Sequence, residues 1–172
     1  LMIRNPWGRG LAGTGQIPCP AGWIKGESVD MGHMHFHRAF GVYGICKQEN
    51  KMLVIKKNGG PYIHRYDLPG ELEHGEDLAA ALRREFREET GYEIDILENI
   101  GVKDFKLPWT WKDYNYVHHI AVYDLVRIIG GKIDMPDQFN GQDSLGAVWI
   151  NINGVNIDNA FPLVLEAIKW LE

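Results

Sequence analysis

The chain has 172 residues and a formal net charge of −5, a size that suits one domain with a real core and a sign that argues against a general binder of nucleic-acid backbones. Its two cysteines, Cys19 and Cys46, show no partner spacing, so a disulfide framework or zinc knuckle is not expected and a reducing, cytoplasmic setting is. No apolar run is long enough to span a bilayer, no basic-then-apolar leader is visible, and the composition is that of a folded chain.

Residues 1–37 are expected to form an N-terminal arm or extension, and 38–172 a single domain. The arm's "RNPWGRGLAGTGQIPCPAGW" is dense in Gly and Pro and has no helical or strand period. Gly8, Gly10 and Gly13 match G-x-G-x-x-G formally. No apolar strand precedes them, and Pro18 and Pro20 follow where a helix would begin, so a dinucleotide fingerprint is rejected. His33, His35 and His37 share one face of an extended segment. That is a possible metal set, but a solvent-facing strand is the preferred reading, since no acidic or cysteine partner is near in sequence.

Beyond the arm the pattern is regular. "AFGVYGIC" and "KMLVIKK" predict two strands, "RYDLPGE" a short one ending in a turn, and Asp77 to Thr90 a helix closed by Gly91. Leu78, Leu82 and Phe86 are expected to turn inward. "YEIDILENIGVKDFKL", "YNYVHHIAVYDLVRI" and "SLGAVWINI" predict three more strands. Residues 158–171 predict a closing helix capped by Asp158, with Ala160, Leu163, Ala167, Ile168 and Leu171 inward. Strands outnumber helices and separate them, which predicts an α/β fold with a mixed sheet covered by helices.

The stretch from Gly70 to Tyr92 holds seven carboxylates: Glu71, Glu73, Glu76, Asp77, Glu85, Glu88 and Glu89. Glu85, Glu88 and Glu89 are spaced i, i+3, i+4 and project in neighbouring directions, where like charges repel. A solvated face laced with Arg83, Arg84 and Arg87 is one reading. A metal is the other. The acids lie past mid-helix, away from the end where the helix dipole favours them. The Pro69-Gly70 turn can bring carbonyls near, and hard cations such as magnesium take carboxylate and carbonyl oxygens.

This stretch resembles the signature of the Nudix (MutT-like) hydrolases, G-x5-E-x7-R-E-U-x-E-E-x-G-U with U bulky and apolar. Gly70, Glu76, Arg84, Glu85, Phe86, Glu88, Glu89, Gly91 and Tyr92 fall in register. The resemblance implies a Nudix-type α/β/α sandwich and cleavage of a nucleoside diphosphate linked to another moiety, such as a nucleotide sugar, an ADP-ribose-like compound or a nucleoside triphosphate. It implies Mg2+ or Mn2+ held mainly by Glu85 and Glu89, with Glu88 sharing an ion or orienting water. Arg84 would pair with Glu88 or Glu76, and Glu76 and Gly91 would be structural. Two departures stand out. One glycine follows Leu-Pro where relatives commonly have two, which leaves open whether the Pro69 or the Gly70 carbonyl reaches the metal. Tyr92 replaces an aliphatic residue. A further acid is expected before the last strand, Asp143 first and Asp137 second, with a loop cap as the alternative.

Substrate selection is expected from "LPWTWKDYNYVHH", where Trp109, Trp111, Tyr114, Tyr116, His118 and His119 gather. Aromatic faces stack on nucleobases, or they fill core. Pro108, sixteen residues past Tyr92, is a position that the resemblance associates with ADP-ribose-type substrates. Lys106, with Lys103 and Lys112, is a candidate phosphate partner or an ordinary surface lysine. The resemblance also allows a homodimer; the arm, with Trp7 and Trp23, is expected either to cross to a neighbour or, equally, to fold back over its own sheet. The alternative function is a catalytically silent nucleotide-sensing module, whose usual mark, a lost box glutamate, is missing.

Overall fold

The computed structural model describes residues 34–133 and 144–171. The arm up to residue 33, and with it Cys19, His33, Trp7 and Trp23, lies outside the described residues, as do Asp137 and Asp143.

Among these described residues, seven strands and two α-helices follow in order: β1 (Phe36–Ile45), β2 (Lys47–Gln48), β3 (Lys51–Lys57), β4 (Tyr66–Asp67), α1 (Leu78–Thr90), β5 (Tyr92–Trp111), β6 (Tyr114–Gly131), β7 (Ser144–Asn151) and α2 (Pro162–Leu171). One sheet runs β1-β6-β5, with β1 parallel and β5 antiparallel to β6. In the other, β3 pairs antiparallel with β2, β4 and β7.

Strand alternation divides the core into two layers. Val42 of β1, Cys46 just after it, Leu53 of β3 and Val122 and Val126 of β6 pack with Ala81, Leu82 and Phe86 of α1. Their neighbours Tyr43, Ile45, Met52, Val54, Ala121 and Tyr123 pack with Leu163, Val164 and Ala167 of α2. Strands covered on both faces read as continuous apolar runs, which is why "MLVI" shows no alternation. The two sheets, the first mixed and the second antiparallel, with a helix on each face form the α/β sandwich expected from the sequence.

Two details differ from expectation. The closing helix begins at Pro162, not residue 158, and Asp158 is not its cap. The residues before it are committed to β4: the Tyr66 N–H donates to the Asn159 carbonyl and the Phe161 N–H to the Tyr66 carbonyl, each 2.8 Å. Pro162 then suits a first helical position, where its missing N–H costs nothing. In α1, Leu78 is 39% exposed because it opens the helix. The buried stripe is Ala81, Leu82, Glu85, Phe86, Glu89 and Thr90, so two glutamates share the inward face.

Candidate active site

Asp77 caps α1, accepting from the N–H groups of Ala79 and Ala80 at 3.0 and 3.2 Å. Gly91 ends it in the left-handed conformation at φ 78°. The rotation so fixed leaves Glu85 7% and Glu89 9% exposed, while Glu88 stays on the open side. Arg84 organises the acids. Its Nε and Nη2 donate to the two oxygens of Glu76 at 2.8 and 2.6 Å. Its Nη1 donates to Glu85 Oε1 and to Glu88 Oε2, the latter at 3.2 Å. This fork holds the Glu76 carboxyl below its ordinary range.

Glu89 is served differently. It accepts the Gly70 N–H at 2.8 Å, and among the described residues no arginine or lysine forms an ion pair with it. Burial pushes its carboxyl well above the ordinary range, against the pull of the Gly70 N–H, and Glu85 and Asp67 add to the rise. Burial likewise raises Glu85, with Arg84 opposing. Gly70 can reach Glu89 because the Pro69-Gly70 segment lies directly on β1. The Pro69 carbonyl accepts from the Gly44 N–H at 3.0 Å, and a Cβ on Gly70 would stand 2.0 Å from the Val42 carbonyl oxygen.

A cavity of about 190 Å3 opens beside Glu89. Gly70, Glu71 and Glu89 line it together with His37 and Trp109, and Tyr43, Lys57, Asp67, His119 and Phe161 complete the wall. Lys57 Nζ lies 3.1 Å from Asp67 Oδ2 and 5.6 Å from the centre of the Phe161 ring. Beyond Trp109 the rings continue outward. Trp109 stacks on Trp111 with centroids 5.6 Å apart and planes within 5°, Trp111 stacks on Tyr114, and His37 abuts all three. A wider depression of about 970 Å3 flanks α1 along Arg83, Arg87 and Glu88, but it reaches neither Glu89 nor the aromatic rings.

Residues 35–171 match the family described as NUDIX domain. The chain belongs to that family. A curated relative, the ADP-ribose pyrophosphatase of Methanocaldococcus jannaschii, is 28% identical over 134 residues, covering 77% of this chain and 73% of its own length. The fold is similar to a solved MutT Nudix hydrolase from Burkholderia pseudomallei, with TM-score 0.60 and 19% identity over 79% of this chain and 99% of that one. It is also similar to an ADP-ribose pyrophosphatase from Streptococcus suis, with TM-score 0.52 and 17% identity over 76% and 92%. The protein is thus a Nudix hydrolase, an enzyme of phosphoric anhydride bonds.

Within this Nudix domain the structure unites some predicted site residues and separates others. Arg84 joins Glu76, Glu85 and Glu88, and Gly70 joins Glu89. Trp109 shares the Glu89 cavity, whereas Trp111 and Tyr114 lie outside it on the outer shelf. Lys106 does not line the cavity. It is exposed, with Nζ 3.7 Å from Asp104 Oδ2. Pro108 pairs with Tyr116 in the β5-β6 ladder. No trio of His, Cys, Asp or Glu forms a ready-made metal cluster among the described residues, and His35 and His37 belong to none. Lys57, Asp67, Tyr43 and Phe161 are cavity residues that no local motif marks. They come from separate strands and a loop, and only the tertiary fold brings them together.

Proposed function

We propose that this enzyme cleaves the anhydride of a nucleoside diphosphate linked to a sugar, with ADP-ribose-type compounds and nucleotide sugars as the favoured class. The observation that carries the reading is the cavity that Glu89 and Trp109 both line. It brings one buried acid of the box, Glu89, and the Trp109 ring to the walls of one small space. The name of the archaeal relative points the same way.

The donor set fits a hard divalent cation, Mg2+ or Mn2+. Glu89 and Glu85 are buried carboxylates whose ionised forms are costly without positive charge nearby. Both would hold the cation, with Glu88 at the open side. The Pro69 carbonyl accepts one hydrogen bond, from Gly44, and keeps a second lone pair, so either it or the Gly70 carbonyl could serve as a backbone ligand. Asp143 remains the proposed additional acid. When bound, the cation would neutralise phosphoryl charge and acidify a water. The chain's own part is orientation. Arg84 spaces Glu76, Glu85 and Glu88, the Gly70 N–H fixes one oxygen of Glu89, and Lys57 brings a positive charge to the cavity wall. The outer rings offer a stacking face for a nucleobase.

The test is a panel of ADP-ribose, nucleotide sugars, dinucleoside polyphosphates and nucleoside triphosphates, each with magnesium or manganese, with product separation by chromatography. The expected result is turnover of diphosphate sugars above triphosphates, reduced about 100-fold or more in Glu89→Gln. Turnover of triphosphates alone, or an undiminished variant, would refute the reading.

A further inference from the structure

We propose that Tyr43 and His119 form a specificity pair: Tyr43 fixes the imidazole with its proton on Nδ1, and His119 offers that N–H to an oxygen of the substrate's sugar. This rests on the diphosphate-sugar reading above.

The pair exists because of a glycine. β1 and β6 run side by side in parallel, with Ala39 opposite His119, Gly41 opposite Ala121 and Tyr43 opposite Tyr123. Tyr43 leans back over Gly41, where a Cβ would stand 2.5 Å from its hydroxyl oxygen. The hydroxyl thereby reaches His119 Nε2 at 2.8 Å. Both side chains line the cavity that holds Glu89.

The tautomer follows from hydrogen-bond accounting. The Tyr43 side chain is buried, and the described residues give its hydroxyl no partner but His119. A buried O–H left without an acceptor is costly. If Nε2 carried the imidazole proton, the phenol's own proton would have no acceptor among the described residues. The phenol therefore donates and Nε2 accepts, which places the proton of a neutral imidazole on Nδ1. Burial keeps the ring neutral, lowering His119 to about 4, with Lys57 adding to the effect and Asp67 opposing it. Nδ1 has no hydrogen-bond partner among the described residues, so its N–H is an unused donor in the cavity wall.

Size indicates which part of the substrate it meets. About 190 Å3 lies below the roughly 300–1,000 Å3 of sites that enclose a whole ligand. The cavity therefore takes one ring-sized moiety. The exposed shelf of Trp111 and Tyr114 suits a flat base, which leaves a sugar, rich in acceptor oxygens, for the space under His119.

The experiment has two parts. Nitrogen-edited NMR of the histidine rings should show His119 at neutral pH as the Nδ1–H tautomer. An Nε2–H tautomer or an imidazolium would overturn the proposal. Titration calorimetry with ribose 5-phosphate and, separately, AMP should then show that His119→Ala weakens the sugar phosphate about 3- to 10-fold, the worth of one neutral hydrogen bond, with AMP unchanged. His119→Asn, whose amide nitrogen stands near the former Nδ1, should restore most of the loss. Tyr43→Phe, which frees the tautomer, should weaken the sugar phosphate alone. Equal weakening of both ligands, or of neither, sinks the pair while leaving diphosphate-sugar turnover intact. If the wild type turns over no diphosphate sugar, the functional reading fails and the assignment of a sugar fails with it.

Discussion

Gly70→Ala tests whether the approach of the Pro69-Gly70 segment to β1 builds the site. The added Cβ would lie 2.0 Å from the Val42 carbonyl oxygen and 2.9 Å from the Tyr43 Cα, at φ +140°. Both neighbours are backbone atoms of β1, which is paired along its length with β6, and cannot swing aside. Overpacking of this kind costs about 1–3 kcal/mol. A side chain in that sparsely populated backbone region adds on the order of 1–3 kcal/mol. The expected loss is about 2–6 kcal/mol, a large share of the roughly 5–15 kcal/mol that holds a domain folded. At about 2–4 °C per kcal/mol for a chain of this size, Tm should fall by roughly 5–20 °C. Any relief by backbone movement withdraws the Gly70 N–H from Glu89, so activity should fall as well. Gly75→Ala is the control. It too has a positive φ, +79°, but nothing stands within 4 Å of the new Cβ, so it should cost only about 1–2 kcal/mol. Urea unfolding of both variants decides the matter. A Gly70→Ala no more destabilised than Gly75→Ala would refute the reasoning.

Glu89→Gln keeps an acceptor for the Gly70 N–H and removes the buried charge. Because the folded-state carboxyl is raised, wild-type stability without divalent cation should fall as pH rises through the interval from the ordinary carboxyl range to the raised value, and stay reduced above it. The variant should lack that slope and be the more stable at neutral pH. An equal slope in both proteins, by denaturant titration across pH, would count against this. His119 has the opposite sign. Its folded value of about 4 lies below the ordinary 6.5, so it contributes stability above 6.5 that is lost as pH falls towards 4, about 3 kcal/mol in all. The wild type minus His119→Gln difference should shrink over that window, and a flat difference would refute it. Arg84→Lys loses the planar fork that grips Glu76. kcat/KM should drop by up to about 100-fold through misplacement, with Tm little changed because the pair is partly exposed. A large Tm loss would instead mark Arg84 as a structural residue.

The box was legible because its spacing and its stop at Gly91 are local, and local chemistry dictates them; Asp77, expected to open the helix, caps it instead. The orientation of the helix was not. Leu78 has the apolar period but opens the helix, and the inward stripe instead takes in Glu85 and Glu89. No periodicity analysis places charged residues inward, because their burial depends on what β1 and the Pro69-Gly70 segment offer them. The false start of α2 has a similar cause: residues 159–161 carry good helix signals but spend their backbone groups on Tyr66. The cavity was hardest to foresee. Gly41 and Tyr43 read as ordinary strand residues until the parallel register of β1 on β6 sets them against His119.

The two buried glutamates are not equivalent, and this makes the need for a cation unequal. Glu85 has the Arg84 guanidinium in contact, whereas Glu89 has one backbone N–H, only a weaker pull from Lys57 without contact, and a deeper burial penalty. A single N–H dipole offsets only part of the cost of an ionised buried carboxylate. The residual demand for positive charge therefore centres on Glu89. Magnesium should raise the Tm of the wild type, since a ligand bound only by the folded state stabilises it. That rise should shrink more in Glu89→Gln than in Glu85→Gln, where Arg84 already supplies part of the compensation. If melts with and without magnesium gave the two variants the same shift, Arg84 would not be sharing the load and the asymmetry argued from the hydrogen bonds would be wrong.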